Sequence, residues 1–322
     1  VTGLLLLDGP AQVPTGSAER FREDGHVCLR GLAGAGEVAV VRPPDRCRVT
    51  GLLPLDGPAQ VPTGSAKRFR EDGHVCLRGL AGAGEVAVVR PAVERLVVER
   101  THERRPVDQR DTYGAAFLQV GDLWRHDETV RAFVCAPRFA SAAATLLGVE
   151  GVRLYHDQAL FKEPRGGHTP WHQDQYYWPL DTTDTITMWM PLAEVTEEVG
   201  SMVFVTGSHL LGDLGAGHIS DRSQAAIDRL IEERGLTTDT HGSLEAGDAT
   251  FHAGWTLHSA SPNPSGAMRP VMTVIYVADG ARVAEPTGPA QEYDRMAWLG
   301  GREPGEPVDS DQNPLLWPPV EG

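Results

Sequence analysis

Thr169-Pro170-Trp171-His172-Gln173-Asp174-Gln175-Tyr176-Tyr177-Trp178-Pro179 is the stretch around which the rest of the chain is organised. In extended backbone, alternate residues share a face, so the imidazole of His172 and the carboxylate of Asp174 point to the same side while Gln173 points away. These are two ligands of a metal-binding set, and a third has to come from elsewhere. The best candidate is His258, at the end of Phe251-His252-Ala253-Gly254-Trp255-Thr256-Leu257-His258 and eleven residues before Arg269. His252 lies in the same apolar segment but lacks that downstream context.

Two histidines and one carboxylate on one face of an octahedron leave three positions open. That suits a non-haem Fe(II) ion which must also hold a co-substrate and dioxygen. A guanidinium grips a carboxylate through two parallel hydrogen bonds, so Arg269, a strand's length beyond the distal histidine, is placed to anchor the far carboxylate of 2-oxoglutarate. An HxD tripeptide alone is common. The distal histidine and the arginine at strand-like positions give it weight.

With these residues go Phe161-Lys162-Glu163-Pro164, Trp189-Met190-Pro191-Leu192, Gly200-Ser201, Gly207-Ser208-His209, Gly247-Asp248 and Pro262-Asn263. On this set the chain, from about Ser65 to the C-terminal region, resembles the phytanoyl-CoA dioxygenase-like branch of the Fe(II)/2-oxoglutarate oxygenases. The resemblance implies a mainly β fold with helical additions: a double-stranded β-helix (jelly roll, cupin-like) of two facing sheets, braced by N-terminal helices. It implies His172, Asp174 and His258 as iron ligands and Arg269 as the 2-oxoglutarate anchor. Trp189 is expected close to the co-substrate, and Gln158 and Lys162 on or beside the strand Val152–Phe161 look like pocket residues. Many relatives carry a hydroxyl residue two positions after the distal histidine to help bind the co-substrate. Here Ala260 stands there, flanked by Ser259 and Ser261, and Ser261 is the expected contact. Relatives that halogenate replace the carboxylate ligand by a small residue, so Asp174 points to hydroxylation or a related oxidation. Desaturation, epimerisation and ring closure share its early steps.

Trp171, Tyr176, Tyr177 and Trp178 bracket the HxD pair and are expected to form a dry aromatic mouth for a small-molecule substrate. Tyr176 and Tyr177 alternate, so one of them faces the pocket. Residues 210–240 are polar, with a helical stretch around Ser223 to Glu233, and read as a lid over the site. His26, His74, His209, His218 and His241 read as turn, surface or structural histidines. Further helices are expected after Ser65, as an N-cap, across Val86 to Val97 with a kink or break at Pro91, and from Asp127 to Leu147. The Pro- and Gly-rich end, with Trp298 and Trp317, is expected to wrap the barrel or close the pocket.

Val1 to Pro43 recurs almost letter for letter as Val49 to Pro91, differing at Leu6/Pro54 and Glu19/Lys67. Two near-identical copies are fewer than a repeat array needs. Residues 1–48 therefore read as a poorly packed or disordered duplicate, and 49–322 as one oxygenase domain. The net charge of −15 argues against nucleic-acid binding, for which a basic face is expected. It also favours a small metabolite over a fatty acyl-CoA. No run of eighteen apolar residues exists, so no membrane span and a cytoplasmic location are expected. Four cysteines without CxxC spacing read as reduced thiols. The composition leaves the oligomeric state open between monomer and dimer. The rival readings are a non-catalytic jelly-roll binding protein and a cupin-type metal enzyme that does not use 2-oxoglutarate.

Overall fold

The computed structural model describes Leu53, Leu55 and residues 57–319, all within the compact unit Arg46–Gly322. The duplicate at residues 1–48 lies outside the described residues. Helix α1 (Ser65–Asp72) starts after Gly64, whose left-handed backbone takes the cap position expected for Ser65, and Gly73 at φ 83° ends it. Strand β1 (His74–Leu77) follows. Helix α2 (Ala83–Arg100) runs unbroken through Pro91. Its buried stripe of Val86, Val89, Val93, Leu96 and Val97 holds the helix together, while Pro91 sits on the exposed side. Then come α3 (Thr112–Ala116), β2 (Leu118–Gly121), α4 (Glu128–Val134) and α5 (Pro137–Leu147).

The segment Glu128–Leu147 is long and apolar enough to pass for a membrane span, with 67% of it buried inside the protein. The structure divides it into α4 and α5, which place Phe133, Phe139 and Leu146 in the core. Cys76 is a free thiol.

The barrel strands are β3 (Val152–Phe161), β4 (Thr169–His172), β5 (Thr185–Pro191), β6 (Met202–Val205), β7 (Thr238–Thr240), β8 (Ala249–Ala253), β9 (His258–Ala260) and β10 (Val271–Ala278). Helix α6 (Asp221–Arg234) lies between β6 and β7, and α7 (Pro289–Trp298) and β11 (Leu315–Trp317) complete the chain. The larger sheet runs β1-β8-β5-β10-β3-β11, with β2 also on β3, and the smaller runs β4-β9-β6-β7. Chain order thus alternates between two antiparallel sheets, which is the jelly roll that the resemblance implied. The strands β5, β8 and β10 are buried along their whole length because helices cover the large sheet outside and the second sheet covers it inside.

Two devices fix the ends of the barrel. Gly247, at φ 93°, passes so close to Ala81 that a Cβ would meet the Ala81 carbonyl at 2.1 Å. Beside it the Asp248 carboxylate accepts from Gly79 N–H at 2.8 Å and from Arg78 at 2.8 Å. At the other end the fully buried Asn263 amide donates to the carbonyls of Lys162, Glu163 and Ala267, shaping the turn that leads into Arg269. Lys162 and Arg269 then pair through both backbone bonds, at 3.0 and 2.9 Å.

Candidate metal centre

His172 ends β4 and His258 begins β9, and the two are direct cross-strand partners with ring centroids 4.0 Å apart. Strand β4 stops at His172, yet Gln173 remains extended, so Asp174 still turns to the same side as His172 before a single turn of 3-10 helix starts. Asp174 Oδ1 lies 3.6 Å from His172 Nε2 and 3.7 Å from His258 Nε2. The three candidate ligand atoms all lie within 4.8 Å of one another, close enough for one ion.

The neighbours of these groups prepare them as ligands. His172 Nδ1 is 2.9 Å from the Pro170 carbonyl and His258 Nδ1 is 2.8 Å from the Thr256 carbonyl. A carbonyl only accepts, so each Nδ1 carries the hydrogen and each Nε2 keeps its lone pair for the centre. Burial lowers the pKa of both rings, most strongly at His258, where His172 and His252 add to it, and this keeps them neutral. Burial alone would raise the Asp174 pKa. The surrounding His258, His252 and His172, with the hydrogen bond from His252, outweigh it and hold the carboxyl below its ordinary range. Its second oxygen, Oδ2, accepts from Thr187 Oγ1 at 3.0 Å and His252 Nε2 at 3.2 Å. His252 is therefore a holder of the carboxylate, and Oδ1 is left for an ion.

The centre opens on a cavity of about 670 Å³. One wall carries Arg269, buried to 3% exposure, with Trp189 beneath it at 5.3 Å from Cζ to the ring centroid. Arg269 Nη1 donates to the Gly200 carbonyl, but Nε is buried without a partner and no carboxylate pairs with the guanidinium among the described residues. Burial lowers its pKa to about 9. A buried cation kept without a counter-ion is costly, and it fits a site whose anion arrives as a ligand. Gln158 also lines the cavity, linked through Gln119 to Tyr113 in a chain of hydrogen bonds.

Other expected site residues fall elsewhere. Lys162, Ser261, Trp171 and Tyr176 are not among the residues lining the cavity. Lys162 is fully buried behind the wall, where its Nζ donates to the Gly167 carbonyl and, at 3.4 Å, to Thr169 Oγ1. Trp171 points away from His172, as strand alternation requires, and its Nε1 donates to Asp228 Oδ1 of α6 at 2.9 Å. Tyr177 and Trp178 do line the cavity, and Tyr177 is the inward member of the tyrosine pair. Helix α6 packs on β4, and from the expected lid only His218 and Ile219 reach the cavity. His74, expected at a turn or surface, is buried, stacked on Phe204 and bonded to His241 and Thr206. Sequence reasoning missed Thr169, Thr187, His156 and Asp294, which all line the cavity, as does Trp298, expected to help close it. Period-two alternation in β3 and β5 carried the signal for His156 and Thr187. Nothing in the sequence around Asp294 did.

Known proteins resemble this chain in sequence and in fold. Residues 69–271 match the family model for phytanoyl-CoA dioxygenase (PhyH). A probable alpha-ketoglutarate-dependent hypophosphite dioxygenase of Stutzerimonas stutzeri is 31% identical over 161 residues, 47% of this chain and 54% of that protein. The 1-deoxypentalenic acid 11-beta-hydroxylase of Streptomyces exfoliatus is 25% identical over 181 residues, 52% of this chain and 60% of that protein. The matches thus span little more than half the length of these two relatives. Among solved structures, the alpha-ketoglutarate-dependent carbocyclase SnoK from nogalamycin biosynthesis has a TM-score of 0.66 at 26% identity, covering 80% of this chain and 99% of its own. The epimerase SnoN, in complex with Fe3+, alpha-ketoglutarate and nogalamycin RO, has a TM-score of 0.65 at 32% identity, covering 78% and 96%.

Proposed function

The chain belongs to the phytanoyl-CoA dioxygenase family of Fe(II)/2-oxoglutarate oxygenases, and on that premise we propose that it is a 2-oxoglutarate-dependent dioxygenase of a small metabolite. The observation that carries this reading is the pairing, on one cavity, of the His172/Asp174/His258 set with the buried and carboxylate-free guanidinium of Arg269. His172 Nε2, His258 Nε2 and Asp174 Oδ1 would hold Fe(II), and Arg269 over Trp189 would hold the far carboxylate of 2-oxoglutarate. When bound, these groups supply the oxidative chemistry: O2 and 2-oxoglutarate are consumed, succinate and CO2 leave, and one oxygen atom is inserted into a substrate C–H bond to give C–OH. The protein's own part is ligand orientation through Pro170, Thr256, Thr187 and His252, and exclusion of water by Trp178, Tyr177 and Trp298 around the cavity.

Hydroxylation of an unactivated C–H bond is the outcome that an intact Asp174 supports. The likeness to a carbocyclase and an epimerase gives ring closure and epimerisation a specific place as the second reading. Which outcome follows depends on how the substrate lies in the cavity.

Anaerobic addition of Fe(II) and 2-oxoglutarate to the metal-free protein tests the assignment. The expected result is a weak visible metal-to-ligand charge-transfer band, lost in His172→Ala and in Arg269→Ala at modest 2-oxoglutarate concentration. Arg269→Lys is expected not to rescue, because an ammonium cannot reproduce the planar fork. Iron binding without such a band would favour a metal enzyme that uses no 2-oxoglutarate, and absence of iron binding would favour a binding protein.

A further inference from the structure

Among the described residues Asp294 is the one carboxylate lining the cavity besides the candidate ligand Asp174, and it comes from helix α7 rather than from the barrel. It is 7% exposed. Its Oδ2 accepts from the Tyr155 hydroxyl at 3.2 Å, and its Oδ1 has no hydrogen-bond partner among the described residues. Nearby on the same wall, His156 is stacked on Trp298 at 4.6 Å between ring centroids, with Nδ1 3.4 Å from the Asp157 carbonyl. That contact puts the hydrogen on Nδ1 and leaves Nε2 as an acceptor. In the chain Tyr113–Gln119–Gln158 each member donates to the next, which uses Gln158 Oε1 and leaves its amide N–H groups as donors. The unfilled acceptors of this wall are thus Asp294 Oδ1 and His156 Nε2.

Charge sharpens the point. Arg269 and Asp174 are the other fixed charges lining the cavity. With the centre loaded, the two positive charges of Fe(II) and that of Arg269 offset Asp174 and the two carboxylates of 2-oxoglutarate. Asp294 then has no compensating charge. Burial first, and the hydrogen bond from Tyr155 only partly against it, raises its pKa to about 7. A carboxyl in such a position is stabilised by a donor that arrives from outside. The apolar surfaces of Trp298, Trp178, Tyr177 and Tyr293 supply stacking faces around it.

We propose that Asp294, with His156 beside it, is the substrate-recognition group, and that the substrate is a ring-bearing small molecule presenting a hydroxyl or protonated amine to it. This rests on reading the cavity as an oxygenase site, and it excludes substrates that place a carboxylate or phosphate at the α7 end.

The test uses the full chain loaded anaerobically with Fe(II) and 2-oxoglutarate. The charge-transfer band is read first, so its absence counts against the oxygenase reading alone and its presence in each variant shows that the variant is folded. Calorimetric titration then compares 2-phenylethylamine, 2-phenylethanol and 3-phenylpropionate. The amine or the alcohol is expected to bind at least about tenfold more tightly than the carboxylate. Asp294→Asn is expected to weaken the amine about tenfold while changing the alcohol little, because an amide oxygen still accepts, and Asp294→Ala to weaken both. Whichever donor binds more tightly identifies the kind of group recognised. The proposal is overturned if the carboxylate binds as tightly as the donors, if neither donor binds, or if neither variant weakens the donor that binds.

Discussion

Thr169 on β4 and Ala260 on β9 are direct cross-strand partners, and both line the cavity. Directly opposed residues in an antiparallel pair project to the same face. Thr169 therefore presents a hydroxyl from the neighbouring strand at the point where Ala260, two positions after the distal histidine, has none. Lys162, buried behind it, donates to Thr169 Oγ1 at 3.4 Å. With a lone pair so engaged, the hydroxyl keeps its hydrogen to donate to a group bound in the cavity. Thr169→Val is expected to raise KM for 2-oxoglutarate about tenfold, roughly the worth of one hydrogen bond to a charged group. The rate at saturation should fall much less. Adding Ala260→Ser to that variant should recover most of the loss, and steady-state kinetics at varied 2-oxoglutarate measures both. An unchanged KM in Thr169→Val would remove the hydroxyl from the co-substrate site.

Gly200 explains why a glycine precedes β6. Its φ is +67°, its carbonyl accepts from Arg269, and a Cβ there would lie 2.8 Å from Arg269 Nη1 and 3.1 Å from Lys162 Cδ. Gly200→Ala carries about 1 kcal/mol of backbone strain and displaces the guanidinium as well. The expected outcome is a several-fold or greater rise in KM for 2-oxoglutarate with Fe(II) affinity unchanged, because the three candidate ligands sit on other segments. Iron titration of the variant in the absence of 2-oxoglutarate separates the two effects.

Thr187 and His252 both hold Asp174 Oδ2, the oxygen that does not face the two candidate histidine ligands. Groups that orient a metal-ligating carboxylate typically contribute about 10–100-fold in metal affinity. Thr187→Val should weaken Fe(II) binding at the low end of that range, since His252 still holds the carboxylate. Thr187→Val with His252→Leu should approach the high end. Competition with a chelator of known affinity reads the change, and wild-type affinity in the double variant would mean that Asp174 needs no such support.

The residues of the candidate metal centre and Arg269 beside them could be picked out because they are local in sequence. His172 and Asp174 share one extended stretch, and Arg269 follows His258 within one strand-turn-strand. The jelly roll was implied by the resemblance that these same motifs carry, not by strand alternation, since β5, β8 and β10 are buried along their whole length. Where the reading erred, a distant contact decided. Trp171 looked like a mouth residue until α6 supplied Asp228 for its indole. Pro91 looked like a break, but its side of α2 is exposed and the buried stripe continues past it. His74 looked like a turn residue because nothing nearby announces Phe204, Thr206 and His241, all more than a hundred positions away. Asp294 was silent because an acidic residue in an amphipathic helix is ordinarily solvated, and only the packing of α7 on the cavity makes it otherwise.

The same buried His74 sets a pH dependence. Its pKa is lowered to about 4, first by burial and then by His241, from an ordinary value of 6.5. His156 is lowered to about 4 as well, chiefly by burial. Between pH 6.5 and 4 the unfolded chain binds protons at these two positions that the folded chain does not. Stability therefore rises with pH across that window, is fully present above pH 6.5, and is lost as pH falls toward 4. Asp294 and Asp157, raised by burial to about 7 and about 8, oppose this over the same range, so thermal unfolding of the metal-free protein from pH 7 to 4.5 is compared between the wild type and His74→Phe. His74→Phe keeps a ring to stack on Phe204 but cannot take a proton. Its Tm is expected to start lower at pH 7, because the bonds to Thr206 and His241 are gone, and to fall less steeply with acid. An equally steep fall in the variant would place the acid sensitivity in groups other than His74.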